Sequence, residues 1–195
     1  TLSRGYGMES VRQRAMSTAE TVSASLSEVV DDSALELVVD LRLAFGRLLA
    51  ALGANERAEK EHLDTAELSL SQGWTETACA ALALASHAAQ ARGDRASSGR
   101  AWHQCRDAME SWPMNRPGER CGILVDAVGD PLVAVQVLSA LAEVLVDGVE
   151  EDHSRAPIIR EIISRASEQA SRCVSPPQGA VESLARVEER IAPYG

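Results

Sequence analysis

Leu82-Ala83-Leu84-Ala85-Ser86-His87-Ala88-Ala89-Gln90-Ala91-Arg92-Gly93-Asp94 is the stretch that decides the fold class. Alanine and leucine carry high helix propensity, and their small or straight side chains suit closely packed helices. Glycine then stands where a helix closes, and aspartate stands where its successor needs a cap. The run therefore reads as one helix ending and an antiparallel neighbour beginning. About forty residues earlier the same grammar occurs in Leu43-Ala44-Phe45-Gly46-Arg47-Leu48-Leu49-Ala50-Ala51-Leu52-Gly53, with Ala58 in the helix that follows.

Outward from these two stretches, helix signals continue and strand signals are nearly absent. Met8, Val11, Ala15, Ala19, Val22 and Leu26 recur at helical spacing and predict a first helix over about residues 8–30. Ser33 and Glu36 form a capping box for a helix whose apolar stripe is Leu37, Leu41, Phe45, Leu48 or Leu49, and Leu52. Asn55 is placed to cap a helix over about 56–71. Thr75 opens one over about 76–92, and Asp94 caps one over about 95–112 that Pro113 ends. Pro113 to Gly118 is turn chemistry, and a short helix near 119–128 follows it. Asp130-Pro131 places a cap before proline at the first helical position. The helix it opens, to about Asp147, is apolar almost all round, which marks a buried helix or a subunit interface. Ser154 starts a helix to about Cys173. Ser175-Pro176-Pro177-Gln178 is a second capping box, opening an amphipathic helix with Val181, Leu184, Val187 and Ile191. Helices this long on links this short pack against their sequence neighbours as antiparallel hairpins. The expected class is all-α, with residues 1–195 as a single domain: two repeat-like hairpins over 34–113 and, over 119–195, a C-terminal extension or degenerate third hairpin. An irregular multi-helix bundle is the alternative architecture.

This arrangement resembles the tetratricopeptide repeat, in which two antiparallel helices meet at small residues, a glycine closes the first and a proline often follows the second. Phe45, Gly46, Leu49, Gly53 and Ala58 match the pattern in register. Gly93, Ala101, Ala108 and Pro113 match only if the turn after Gly93 is about three residues longer than standard. The likeness covers about residues 34–115, and the family's tryptophan and tyrosine signature residues are missing. The resemblance implies a right-handed superhelix and a concave binding face lined by the first helix of each hairpin, where Asp40, Arg47, His87 and Gln90 fall. The family's carboxylate clamp is not matched, because Leu43, Ala51, Ala83 and Ala91 occupy several of its positions. A receptor for chaperone C-terminal tails is therefore not expected.

Composition narrows the function further. Apolar residues make up 45% of the 195 and charged residues 25%, so a mainly disordered chain is excluded. Aromatics are only 3%, and the bias toward alanine and arginine reads as a GC-rich bacterial coding signature. A formal net charge of −10 disfavours direct nucleic-acid binding, because phosphate contacts need a basic face. The arginine-rich stretch Arg92 to Arg120 is interrupted by Asp94, Asp107, Glu110 and Glu119, as in a solvated helix face. No run of 18 apolar residues predicts a membrane span. The chain lacks an initiator methionine and a signal-peptide core; an excised fragment is one reading of that start, and a cytoplasmic location is expected. Cys79, Cys105, Cys121 and Cys173 accordingly read as reduced core residues.

The sequence carries no recognisable catalytic or metal-binding constellation. There is no C-x-x-C or H-E-x-x-H, and His103 and Cys105 point to different faces of a helix, so no metal is expected. Phosphate-cradling loops and a G-x-S-x-G elbow are missing. Cys79 or Cys105 beside His87 could in principle form a thiol–imidazole pair, but two small core cysteines are the better reading. His62 and His87 read as surface or crevice residues, and Glu59, Glu61 and Glu150-Glu151-Asp152 as solvated carboxylates. Trp74, Trp102 and Trp112 hold most of the aromatic area, and Trp74 and Trp112 read as packing at helix ends rather than as exposed anchors. The expectation is a non-catalytic module, without cofactor, that binds a peptide or protein partner. The alternative is a ligand-sensing or dimerisation domain of a bacterial regulator, with the Leu132–Val146 helix as the self-association surface.

Overall fold

The computed structural model of the chain describes residues 34–194 and, ahead of them, the helical positions Gln13, Arg14, Ser17, Thr18, Thr21, Ala24 and Ser25. The apolar stripe expected from Met8 to Leu26, and Ser33, lie outside the described residues. From Leu35 the fold is all-α: α1 (Leu35–Ala51), α2 (Asn55–Ser71), α3 (Thr75–Ala91), α4 (Arg95–Glu110), α5 (Pro117–Val128), α6 (Pro131–Val146), α7 (Arg155–Arg172) and α8 (Gln178–Ile191), with a 3-10 turn at Ala192–Tyr194. No strand occurs among the described residues.

The first four helices are joined by one turn used three times. Gly53, Gly73 and Gly93 adopt φ of 77°, 73° and 84°, the left-handed region that only glycine enters freely. Each glycine N–H bonds a carbonyl three residues back: Ala50 at 2.9 Å, Leu70 at 3.1 Å and Gln90 at 2.9 Å. Each following N–H reaches five back, from Ala54 to Leu49, Trp74 to Ser69 and Asp94 to Ala89. These paired bonds satisfy the last carbonyls of one helix and turn the chain straight into the next. The turn after Gly93 is therefore no longer than the turn after Gly53. Ser98, not Ala101, stands where Ala58 stands in the first hairpin.

Helix starts depart from the sequence expectations where caps were read from side-chain identity alone. The N-caps of α1, α2 and α3 are Ala34, Ala54 and Trp74, none with a side-chain bond, so Asn55 and Thr75 are first helical residues rather than caps. The chain enters α2 and α3 from the turn itself. Asp94 and Asp130 cap as expected: Asp94 accepts from the Ser97 N–H, and Asp130 from those of Leu132 and Val133. The expected box at Ser175 does not form, because Pro177 is the N-cap and Gln178 opens α8. Pro176 precedes another proline, which keeps it out of the helical region, so the helix cannot begin there. At the start of α7, Ser154 has no capping bond of its own; Asp152 accepts from the Ser154 N–H at 3.0 Å.

Packing follows chain order in the first half and then folds back. α1 lies on α2, α2 on α3 and α3 on α4, while α6 and α7 form a further antiparallel pair on which α8 rests. The expected α1 stripe is turned. Val39, Leu43, Phe45 and Leu49 face inward, whereas Leu37 is 61% exposed and Leu41 and Leu48 also point outward. Both faces of α1 are apolar, so hydrophobicity alone does not choose between them. Gly46 does: a Cβ there would lie within the His62 imidazole, 2.7 Å from Nδ1. α2 can approach only along the side that has no side chain.

α3 is the axis of the structure, buried from Ala78 to Leu84 and beyond. α2 and α4 cover one side of it, and α5 and α6 come back to cover the other. The concave face expected along the first helices of the hairpins is thus partly filled by the chain itself. α6, apolar almost all round, is packed by α3, α4, α5, α7 and α8; Val135, Val137, Leu138 and Leu141 have no exposed surface. Its exposed large apolar side chain is Leu132. No helix among the described residues is long and apolar enough to cross a membrane.

Candidate functional site

A cleft of about 770 Å³ opens between α3, α4, α6 and α8. α3 contributes Ser86, His87 and Gln90, one turn apart on the face that α2 leaves uncovered. α4 contributes Arg95, Ser98, Gly99, Trp102 and Arg106. α6 is otherwise apolar but presents Gln136, Ser139 and Glu143, spaced so that a helix puts them on one side. α8 closes the far wall with Gly179, Ala180 and Ser183.

These side chains are tied in cross-helix pairs. His87 Nε2 lies 2.6 Å from Gln136 Oε1, linking α3 to α6. Arg106 donates to Glu143 at 3.0 Å, and Ser183 donates to the same carboxylate. Ser139 donates to the Ala180 carbonyl at 3.1 Å, and Ser86 to the Ser98 carbonyl at 3.0 Å. The pairs fix the walls, while Gln90 and Arg95 at the rim stay exposed. Gly93, Gly99 and Gly179 leave stretches of wall with no side chain, so a bound chain can come close to the backbone.

The four residues expected on one concave face divide between two places. His87 and Gln90 line this cleft. Asp40 and Arg47 line a separate crevice of about 420 Å³ between α1, α3 and α5, and the intervening surface is occupied by α5 and α6. Arg47 is also engaged: Nη1 donates to the Asp126 and Ala127 carbonyls at 3.3 and 3.0 Å. A cation on the last carbonyls of α5 complements the helix dipole and pins α1 to α5. Asp40 is exposed at the mouth of that crevice.

Other titratable groups serve the fold. Cys79 and Cys105 are buried, and each thiol points at the other's backbone carbonyl, at 3.9 and 3.4 Å. The neighbouring Cys79 thiol and burial push the Cys105 pKa up, and burial pushes that of Cys121 up to about 12, so neither is a thiolate at neutral pH. Cys173 is half-buried, and all four cysteines are free. His62, expected in a crevice or at the surface, is in the core with 1% exposure, and its Nδ1 has no hydrogen-bond partner among the described residues. Burial, with the charge of Arg47 nearby, lowers its pKa to about 4. Glu59 and Glu76 are buried rather than solvated, each held by an arginine: Arg92 at 3.0 Å from its Nε, and Arg120. Trp112 is buried at the end of α4 as expected, whereas Trp102 is partly exposed in the cleft. Among the described residues no three His, Cys, Asp or Glu side chains could together hold a metal ion.

The chain matches no family model, no curated protein and no solved structure.

The residues that sequence reasoning missed are those on α6, α4 and α8. A signal was present for α6, because Gln136, Ser139 and Glu143 are polar at helical spacing within an apolar run. No such pattern marked Gly179 or Ser183, which reach the cleft only because α8 folds back onto α6.

Proposed function

We propose that the chain is a non-catalytic protein-interaction module that takes an extended segment of a partner protein in the α3–α4–α6–α8 cleft. The observation that carries this reading is the alternation of glycine wall and cross-helix polar pairs along one open furrow. An extended chain brings unpaired backbone N–H and C=O groups, which need polar partners and close approach. Gln90 and the Gln136 Nε2 supply donors, the oxygens of Glu143 and of the serine hydroxyls accept beyond the bonds they already make, and Gly93, Gly99 and Gly179 give the close approach. His87 bonds an amide, and Ser86 and Ser183 bond a carbonyl and a carboxylate, an arrangement suited to holding polar groups rather than moving protons. The tetratricopeptide likeness agrees with the three identical turns. The cleft, however, lies where α6 and α8 flank the second hairpin rather than along an open superhelix.

The test is selection of peptides from a random library on the intact chain, repeated on Gly99→Trp, which fills the cleft from an exposed helical position. Enriched peptides that bind the parent in the micromolar range and lose at least tenfold on Gly99→Trp support the reading. If no peptide is enriched, and a panel of small polar molecules instead raises the melting temperature of the parent but not of Gly99→Trp, the site is a ligand sensor and the interaction module is wrong.

A further inference from the structure

On another face of the molecule α2 and α4 form a second, chemically different groove. Both run antiparallel to α3, so they run parallel to each other. They scarcely touch, and Leu82 of α3 lies between them. The opening, about 660 Å³, extends from Glu59 to Leu70 on α2 and from Ser97 to Ala108 on α4, about three helical turns on each wall. Its floor is Leu63, Ala66, Leu70, Leu82, Ala101 and Ala108. Leu70 is 49% exposed, a large apolar side chain left open at one end of the groove's α2 wall.

We propose that this groove docks an amphipathic helix of a partner protein, with an apolar face and lysine or arginine on both flanks. Three features select that occupant. Alanines at Ala66, Ala101 and Ala108 let a third helix come close, as small residues do at helix crossings. The floor offers almost no hydrogen-bonding groups, so an extended chain would leave its backbone unpaired there, whereas a helix pairs its own. Along the rims three carboxylates, Glu59, Glu67 and Asp107, stand against one arginine, Arg100. Glu59 is answered by Arg92 at 3.0 Å and Asp107 lies 3.9 Å from the His103 imidazole, but Glu67 on one wall and Asp107 on the other are exposed, and the chain as a whole carries a formal charge of −10. Cations flanking an apolar stripe would meet one carboxylate on each side. The groove is separate from the cleft, since α4 turns Gly99, Trp102 and Arg106 to one and Arg100, Ala101, Gln104 and Asp107 to the other. The two proposals therefore fail independently.

A fluorescein-labelled 14-residue leucine/lysine peptide, patterned to be amphipathic as a helix, is titrated into the intact chain and followed by anisotropy. The expected result is saturable binding at least tenfold tighter than that of a scrambled peptide of the same composition. Leu70→Asp, and the pair Glu67→Lys with Asp107→Lys, each weaken it at least tenfold, and the charge-reversed pair gains affinity for the matching leucine/glutamate peptide. Glu150→Lys with Glu151→Lys, the same charge change at exposed sites elsewhere, leaves binding within twofold. Equal binding of patterned and scrambled peptides, or equal loss in the two charge-reversed pairs, overturns the proposal, because attraction to an acidic surface would then suffice. A dimer in sedimentation that Leu70→Asp dissolves also overturns it, making a second copy of the chain the occupant.

Discussion

His62 is the residue on which the first hairpin closes, and it is an unusual choice. Its imidazole fills the space that Gly46 leaves, with Nδ1 buried and unpaired among the described residues. A neutral ring tolerates that position; a cation does not. With the folded pKa lowered from the ordinary 6.5 to about 4, the unfolded chain binds more protons throughout the interval between them. The contribution is complete above about pH 6.5 and is lost as pH falls toward 4. At 1.36 kcal/mol per pKa unit the loss approaches about 3 kcal/mol. Urea unfolding at a series of pH values should show it as a slope in stability between pH 6.5 and 4 that is absent from His62→Gln. An unchanged slope in that variant would assign the acid sensitivity to other groups.

At the scale of the element, α1 shows what sequence periodicity can and cannot settle. Leu37, Leu41 and Leu48 make as regular a stripe as Val39, Leu43 and Leu49, and only the Gly46–His62 contact decides which set is inside. Leu43→Ala is expected to cost about 3 kcal/mol in urea unfolding, as buried leucines do. Leu37→Ala should change stability by less than about 0.5 kcal/mol. The reverse ranking would mean that the outward face is covered in solution. Turns were the most legible elements, because Gly53, Gly73 and Gly93 each solve a backbone problem that side chains at a distance do not alter. Caps were less legible. Asp94 and Asp130 could be read from local chemistry, but Asn55, Thr75 and Ser175 have the right side chains in places where turn geometry or a following proline sets the helix start. The candidate site was half legible: His87 and Gln90 were placed on a binding face, but Asp40 and Arg47 were parted from them by α5 and α6, whose docking no local pattern specifies.

Over the whole molecule, the two hairpins are repeat-like in their turns but not in their independence. In a repeat array each unit contacts its neighbours alone, and shortened arrays still fold. Here α3 is covered on its second side by α5 and α6, and Leu124, Val128, Leu138 and Leu141 belong to the same core as Leu82 and Leu84. By circular dichroism the full chain is expected to unfold in urea with a sigmoidal transition, and a fragment spanning residues 34–113 is expected to lose it. A fragment that keeps a cooperative transition would show that the hairpins stand alone and that the later helices are an accessory.

The central position of α3 also imposes an order on synthesis. It leaves the ribosome with one side ready to meet α2, its immediate predecessor, and the other apolar side with no partner until α5 and α6 have been translated as far as Val146. Local hairpins form faster than distant contacts, so a growing chain passes through a stage with half of its most alanine-rich helix facing water. In that interval the nascent chain presents a ready surface to a chaperone, and a pause in translation before Pro117 would prolong it.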